Sequence, residues 1–132
     1  MLLRIKQLKI STYGIWACII IALATLLRIV LTAQGWPHSN ADIDTTGIMA
    51  MHIASKGEHP IFFYGQHYMG TLEAYLGVAF FRLFGISVFS LRLGTVLFFA
   101  LFLVIMYGLT SLLYTKKLAL LTLALLSLGS SI

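Results

Sequence analysis

The chain has 132 residues, of which 60% are hydrophobic and only 10% are charged. This composition lies far outside the range of soluble globular proteins and predicts an integral membrane protein. The helical spans described below predict that it is all-α and polytopic. The net charge of +5 does not indicate a nucleic-acid partner, because the basic residues form no patch but cluster at the N-terminus and in the pair Lys116-Lys117.

The first predicted element is a transmembrane helix over residues 13–33, which follows a cytoplasmic N-terminus, residues 1–12. The length of this apolar run, and the charge of Arg28 near its end, favour an uncleaved anchor over a cleaved signal peptide. Arg28 itself is expected to extend toward the lipid headgroups. Because basic residues accumulate on the cytoplasmic side, the helix is expected to run outward. The basic residues of the N-terminus are Arg4, Lys6 and Lys9.

An extracytoplasmic loop is predicted over residues 34–92, with helices at about 42–55 and 71–84. Ser39 or Asn40 can cap the first of these helices, and Gly57 can end it. Asp42 and Asp44 then occupy the first turn, where they are either capping residues or catalytic ones. If both are helical, they point about 200° away from each other and cannot both reach one substrate atom, so either one is catalytic while the other caps, or both precede the helix.

The segment 60–70 is dense in aromatic residues and is either an interfacial belt or a platform for a sugar or lipid. Its predicted substrate contacts are Tyr64, Gln66 and Tyr68. Glu73, at the start of the next helix, is either a partner of the helix dipole or a further substrate contact. The four scattered histidines predict no metal site, although the two aspartates could hold Mg²⁺ or Mn²⁺.

The helix over 71–84 is too short to cross a ~30 Å hydrocarbon core, so it is expected to lie on the outer surface. Arg82 and Arg92 then lie at the outer interface. A second span over 93–115, capped by Ser90, returns the chain to the cytoplasm at Lys116-Lys117. The apolar run over residues 118–132 is too short to cross the membrane and is predicted to be the start of a third span. The chain is therefore expected to be part of a longer protein or a truncated product.

A resemblance to a known family is carried by the residues from Gly57 to Tyr75, followed by Leu-Phe-Gly-Ile-Ser at 83–87 and Leu-Arg-Leu at 91–93. The first stretch reads Gly-Glu-His-Pro-Ile-Phe-Phe-Tyr-Gly-Gln-His-Tyr-Met-Gly-Thr-Leu-Glu-Ala-Tyr. With the acidic motif before it, this resembles the N-terminal region of bacterial GT-C membrane glycosyltransferases, such as protein O-mannosyltransferase and aminoarabinose-transferase relatives. The resemblance covers roughly Gly35 to Leu93.

The resemblance implies an incomplete GT-C fold in the bacterial plasma membrane, whose remaining helices belong to a longer chain. Its donor would be a sugar on a polyprenyl-phosphate carrier, and membrane lipid would be a further partner. The catalytic aspartate of the family falls on Asp42. The chain departs from the family where Ile43 replaces a second acidic residue and Asp44 follows it, so either aspartate remains a candidate base.

A fixed carboxylate can accept the proton of an attacking acceptor hydroxyl. Arg82 and Arg92 could stabilise the departing phosphate. Residues 1–132 alone are expected to be inactive, and no cofactor is predicted apart from the divalent cation considered above.

A non-enzymatic small membrane protein, either a relic or an assembly subunit, is the alternative. A reading frame that continues past Ile132 favours the enzyme, and a stop codon there favours the alternative. A transporter fragment is a weaker third interpretation, since residues 93–115 carry no charge and no proline.

The charge pattern makes a testable prediction about topology. A reporter fused after Lys117 is expected to be cytoplasmic, because two crossings return the chain to its starting side. Paired alkaline-phosphatase and fluorescent-protein fusions measure this directly. An external reporter at that position would mean that the helix over 71–84 crosses the membrane.

Overall fold

The computed structural model describes residues 11–129, and the prediction of an all-α chain is confirmed for this part. The predicted cytoplasmic residues Arg4, Lys6 and Lys9, and the end of the predicted third span at 130–132, lie outside the described residues. The helices are α1 (Thr12–Ala33), α2 (Ala41–Lys56), α3 (Leu72–Phe84), α4 (Val88–Leu113) and α5 (Lys116–Leu128).

Within residues 11–129, two helices are long and apolar enough to cross a membrane, α1 with 22 residues and α4 with 26. Both expose large apolar side chains, such as Leu23 on α1 and Ile105 on α4. Exposed leucine and isoleucine along a whole helix are typical of a surface that faces lipid. With 13 residues, α3 is about 20 Å long and shorter than the ~30 Å hydrocarbon core.

The start of α4 differs from the prediction. The helix begins at Val88 rather than Leu93, and Ser90 lies inside it. The prediction that Ser90 caps this helix is wrong, because the side-chain oxygen of Ser87 accepts the backbone N–H of Ser90 at 3.0 Å. At the other end, α4 stops at Leu113, and the hydroxyl of Thr115 caps α5 by accepting from the N–H of Leu118.

The chain divides into two compact units. One contains the first part of α1, the last part of α4, and α5; its buried side chains include Ala17, Leu103 and Leu123. The other, Thr25–Leu101, contains the end of α1, all of α2 and α3, and the first part of α4. In this second unit the Arg28 guanidinium lies 3.8 Å from the centre of the Phe99 ring, a cation–π contact that accommodates a charge on an apolar helix.

The core of the Thr25–Leu101 unit lies between α2, α3 and the start of α4. It is built from Met49, Ala50, Phe63, Ala74, Val78, Phe81 and Leu91. A Cβ atom placed on Gly77 would lie 3.2 Å from the Cβ of Ala50 and 2.7 Å from a methyl group of Leu91. The helices therefore approach so closely at this point that a side chain would need its neighbours to move.

The chain segment between α2 and α3 returns along the length of α2, so that the two helices run parallel. The first turns of both helices line the same cleft, and Ala50 on α2 lies beside Gly77 on α3. A parallel pair needs such a returning segment, whereas a short turn would have produced an antiparallel pair. The consequence is that two helix N-termini lie side by side.

Replacing Gly77 tests this packing. Gly77→Val is expected to lower the free energy of unfolding by about 1–3 kcal/mol, because the added methyl groups must displace Leu91 and press on Ala50. Ala79→Val places the same side chain at an exposed position of the same helix and is expected to change stability by less than about 0.5 kcal/mol. Thermal unfolding in detergent, followed by circular dichroism, compares the two. Equal losses would show that Gly77 is not a packing constraint.

Candidate functional site

The site is built on the start of α2. Asn40 has extended backbone angles, φ −130° and ψ 169°, and its side-chain oxygen accepts the N–H of Ile43 at 3.0 Å. This is the geometry of an N-cap, and it fixes the orientation of the first helical turn. Of the two caps that the sequence allowed, Ser39 and Asn40, the structure has Asn40. Gly57, with φ 66°, ends the helix as expected.

A cleft of about 130 Å³ lies where the first turns of α2 and α3 meet. We call it the Asp42–Glu73 cleft, because these two carboxylate residues both line it. It is smaller than the roughly 300–1,000 Å³ of sites for drug-sized ligands and suits one ring-sized group. The lining residues are Asn40, Asp42, Ile43, Thr46, Phe63, Met69, Gly70, Thr71, Glu73 and Ala74.

The lining combines polar and apolar side chains. Asp42, Thr71 and Glu73 supply oxygen atoms, and the oxygen of Asn40 is used by the cap, so its amide nitrogen is the atom that it can offer. Apolar surface from Ile43, Phe63 and Met69 completes the walls. Such a mixture matches a sugar, whose hydroxyl groups need partners and whose ring faces are apolar.

The two aspartates of α2 are directed to different surroundings. Asp44 accepts the hydroxyl of Ser39 at 2.6 Å, and Asp42 is the one that lines the cleft. This agrees with the angle of about 200° that separates residues two apart on a helix. Thr46, one turn later, donates its hydroxyl to the carbonyl oxygen of Asp42 at 2.8 Å and is itself buried. The backbone around Asp42 is therefore fixed by two hydrogen bonds, the cap from Asn40 to the N–H of Ile43 and the bond from Thr46 to the carbonyl oxygen of Asp42.

Residues 62–70 form a short turn that we call the aromatic hairpin. An isolated bridge pairs Phe62 with Gly70, and the N–H of Phe63 donates to the carbonyl oxygen of Met69 at 2.9 Å. Gly65 sits at the tip with φ 78°, a conformation that favours glycine. Phe63 is buried in the core, so the hairpin is anchored to the helices and forms one wall of the cleft.

Pro60, two residues before the hairpin, is hydrogen-bonded to the start of α3. Its carbonyl oxygen accepts the hydroxyl of Thr71 at 2.9 Å and the hydroxyl of Tyr75 at 3.2 Å. Both donors lie at the start of α3, one as its N-cap residue and the other in its first turn. The hairpin and α3 are therefore joined on one side of the cleft.

The predicted substrate contacts are dispersed. Among them only Glu73 lines the cleft described within residues 11–129. The hydroxyl of Tyr64 is bonded to Glu58 and lies 3.1 Å from the Nδ1 atom of His52. Tyr68 is 82% exposed, and the side-chain oxygen of Gln66 is buried without a hydrogen-bond partner among the described residues.

The two arginines lie elsewhere. Arg82 follows Glu73 by nine positions on α3, which corresponds to the opposite helix face and about 13 Å along the axis, and it is exposed. Arg92 is 7% exposed inside α4, and its Nε atom has no hydrogen-bond partner among residues 11–129. The structure therefore does not place either arginine with the carboxylates of the cleft.

The cluster of Glu58, Tyr64 and His52 was not predicted from the sequence. A signal was present, since Glu58 is one of only four carboxylate residues in the chain and stands beside an aromatic run. The hydrogen bond to Glu58 raises the pKa of the Tyr64 hydroxyl above its ordinary value of 10.0, and desolvation and the charge of Glu58 act in the same direction.

Within residues 11–129 the structure brings together no group of three or more His, Cys, Asp or Glu side chains that could hold a metal ion. No family model, no curated protein and no solved structure matches the chain. The resemblance to GT-C glycosyltransferases therefore rests on the motif residues quoted above.

The cap of α2 can be tested by mutation. Asn40→Ala is expected to destabilise the first turn of α2 by about 1 kcal/mol, because the N–H of Ile43 loses its acceptor. Asn40→Ser retains an acceptor of the preferred kind and is expected to keep most of that stability. Amide hydrogen exchange of Ile43 in the two variants is the measurement. Equal protection in both would show that the cap does not stabilise the turn that carries Asp42.

Proposed function

We propose that this chain is the N-terminal part of a membrane glycosyltransferase, which moves a sugar from a polyprenyl-phosphate carrier to an acceptor on the outer face of a bacterial plasma membrane. The observation that carries the proposal is the Asp42–Glu73 cleft. It places two carboxylate residues, from the first turns of different helices, on one small cavity with mixed polar and apolar walls.

The proposed reaction is displacement at the anomeric carbon of the donor sugar. The oxygen of an acceptor hydroxyl forms a bond to this carbon, and the bond from the carbon to the carrier phosphate breaks. The phosphate leaves with the bonding electron pair, and the proton of the hydroxyl passes to the carboxylate of Asp42 as general base. Glu73 accepts a hydrogen bond from a hydroxyl of the bound substrate and so orients it.

Asp42 is a better candidate than Asp44 for the base. Asp42 lines the cleft, whereas Asp44 accepts a hydrogen bond from Ser39 at the outside of the same turn. A general base must lie within hydrogen-bond reach of the proton that it removes, and this requirement favours the residue at the cavity.

The arginines have different parts in the proposal. Arg82 is exposed at the end of α3 and is available to a lipid phosphate at the membrane surface. The Nε atom of Arg92 is closed to solvent, so the packing around it must open before a phosphate oxygen can bind there. Because Arg82 lies on the face of α3 opposite Glu73, we assign it to headgroup phosphates at the membrane surface and not to the leaving phosphate of the donor in the cleft.

The membrane placement is part of the proposal. With α1 and α4 as spans and a cytoplasmic N-terminus, α2, α3 and the aromatic hairpin lie outside the membrane. Leu83, Phe84 and Ile86, at the end of α3 and just beyond it, are exposed and apolar. Such side chains are suited to the boundary between headgroups and hydrocarbon, which agrees with a helix lying on the outer surface.

Separate aspartate variants test the role of Asp42. In the full-length protein, Asp42→Asn is expected to lower sugar transfer by about 10²–10⁴-fold, since amide nitrogen and oxygen cannot accept the proton. Asp44→Asn, its matched control on the same turn, is expected to retain transfer within a few fold. Both variants should insert into the membrane normally, because the amide is close in size and shape to the carboxyl group.

The assay follows radiolabelled sugar from a panel of polyprenyl-phosphate donors into the acceptor fraction of membrane vesicles. Unchanged transfer by Asp42→Asn would remove Asp42 from the role of base. Absence of transfer by the wild-type protein with every donor would favour the non-enzymatic membrane protein instead.

A further inference from the structure

The cluster of Glu58, Tyr64 and His52 joins three parts of the chain. His52 belongs to the last half of α2, Glu58 follows the end of that helix, and Tyr64 belongs to the aromatic hairpin. The Tyr64 hydroxyl donates to the carboxylate of Glu58, and the Nδ1 atom of His52 lies 3.1 Å from the same hydroxyl. The Nδ1 atom also lies 3.7 Å from the Glu58 carboxylate.

The number of protons on these groups determines which of them is the donor in each hydrogen bond. A phenol has one proton, and Tyr64 gives it to Glu58, so its oxygen can only accept from His52. A hydrogen bond from His52 to this oxygen requires the tautomer that carries a proton on Nδ1. The one proton of the Tyr64 hydroxyl is then committed to Glu58, so the hydroxyl cannot donate to a substrate while this bond is made.

From this geometry we infer that Tyr64 is a positioning residue, a latch that ties the aromatic hairpin to α2 and so holds one wall of the Asp42–Glu73 cleft. This replaces its predicted role as a substrate contact. The hairpin contributes Phe63, Met69 and Gly70 to the cleft, while Tyr64 lies outside the lining. The effect on sugar transfer rests on the proposed function, but the latch itself does not.

The latch supplies the polar link between the hairpin and α2, in addition to the apolar contact that Phe63 makes with the core. Pro60 joins the hairpin to α3 through Thr71 and Tyr75, and Tyr64 supplies the corresponding link to α2. Tyr64 also packs its ring against the core cluster. The hydroxyl can therefore be removed as Tyr64→Phe without loss of the ring contacts, which separates latching from core packing.

The first experiment measures amide hydrogen exchange at Phe63 and Gln66, whose N–H groups are bonded inside the hairpin. In the full chain in detergent, Tyr64→Phe is expected to accelerate exchange at both amides about tenfold, because a hydrogen bond to a charged group is lost. Tyr68→Phe is the matched control on the same hairpin, since Tyr68 is 82% exposed, and it should leave exchange unchanged.

A double mutant identifies the partner. Glu58→Ala should also accelerate exchange, and the combined variant should be no faster than Tyr64→Phe alone, because Tyr64→Phe already removes the bond to Glu58 together with the contact to His52. Additive effects would show that Glu58 and Tyr64 act separately and would overturn the latch, as would exchange rates in Tyr64→Phe that match those of Tyr68→Phe.

The second experiment titrates tyrosine absorbance at alkaline pH. The difference between the wild-type protein and Tyr64→Phe isolates the ionisation of Tyr64, which is expected above the ordinary pKa of 10.0. Glu58→Gln should lower this pKa, because the negative acceptor that holds the phenol proton is gone. Since the pKa is raised in the folded state, the latch is complete below about pH 10 and is lost as the pH rises through the raised value. Ionisation at the ordinary value in all proteins would contradict the hydrogen bond to Glu58.

The latch and the proposed function fail in different ways. If Asp42→Asn retains sugar transfer while Tyr64→Phe loosens the hairpin, the base assignment is wrong and the latch stands. If Asp42→Asn abolishes transfer while exchange is the same in Tyr64→Phe and the wild-type protein, the latch is wrong and the proposed base stands.

Discussion

The close approach of Ala50 and Gly77 is the contact on which the candidate site depends. Helices can come this near only where small residues face each other, and a Cβ atom on Gly77 would lie 3.2 Å from that of Ala50. Because α2 and α3 run parallel, the contact places their first turns at one cleft. Each first turn carries a carboxylate residue, and helix N-termini favour negative charge. The packing of the Ala50 methyl group against a glycine without a side chain thus determines where the chain presents Asp42 and Glu73 together.

The segment between α2 and α3 does more than connect the two helices. It returns along α2 so that a parallel pair can form, and it folds into the aromatic hairpin on the way. Phe63 anchors the hairpin in the core and Tyr64 binds it to α2, while Pro60, two residues before the hairpin, is bonded to the start of α3. The aromatic residues that make the run conspicuous in the sequence therefore divide into buried anchors, such as Phe63, and exposed ones, such as Tyr68.

Local signals predicted the helices well, and tertiary contacts were harder to foresee. The side chain of Asn40 can cap a helix, and Gly57 can adopt the left-handed conformation that ends one, so the limits of α2 could be predicted from the sequence. The start of α4 was not, because Ser87 and Ser90 are both acceptable caps and only the fold distinguishes them. The divergence of Asp42 and Asp44 follows from helix geometry alone. The meeting of Asp42 with Glu73, and of Tyr64 with His52, depends on a parallel helix pair that no local pattern encodes.

All four carboxylate residues of the chain lie between α1 and α4, on a segment whose basic residues are Lys56 and Arg82. That segment is net negative in a chain whose total charge is +5. In the proposed topology it must cross to the outside while the protein is being made. A bacterial membrane potential, negative inside, drives negative charge outward with about 2.3 kcal/mol per charge for each 100 mV. The acids that form the cleft would thus also assist their own export, an electrophoretic contribution to biogenesis that neutral substitutes could not make.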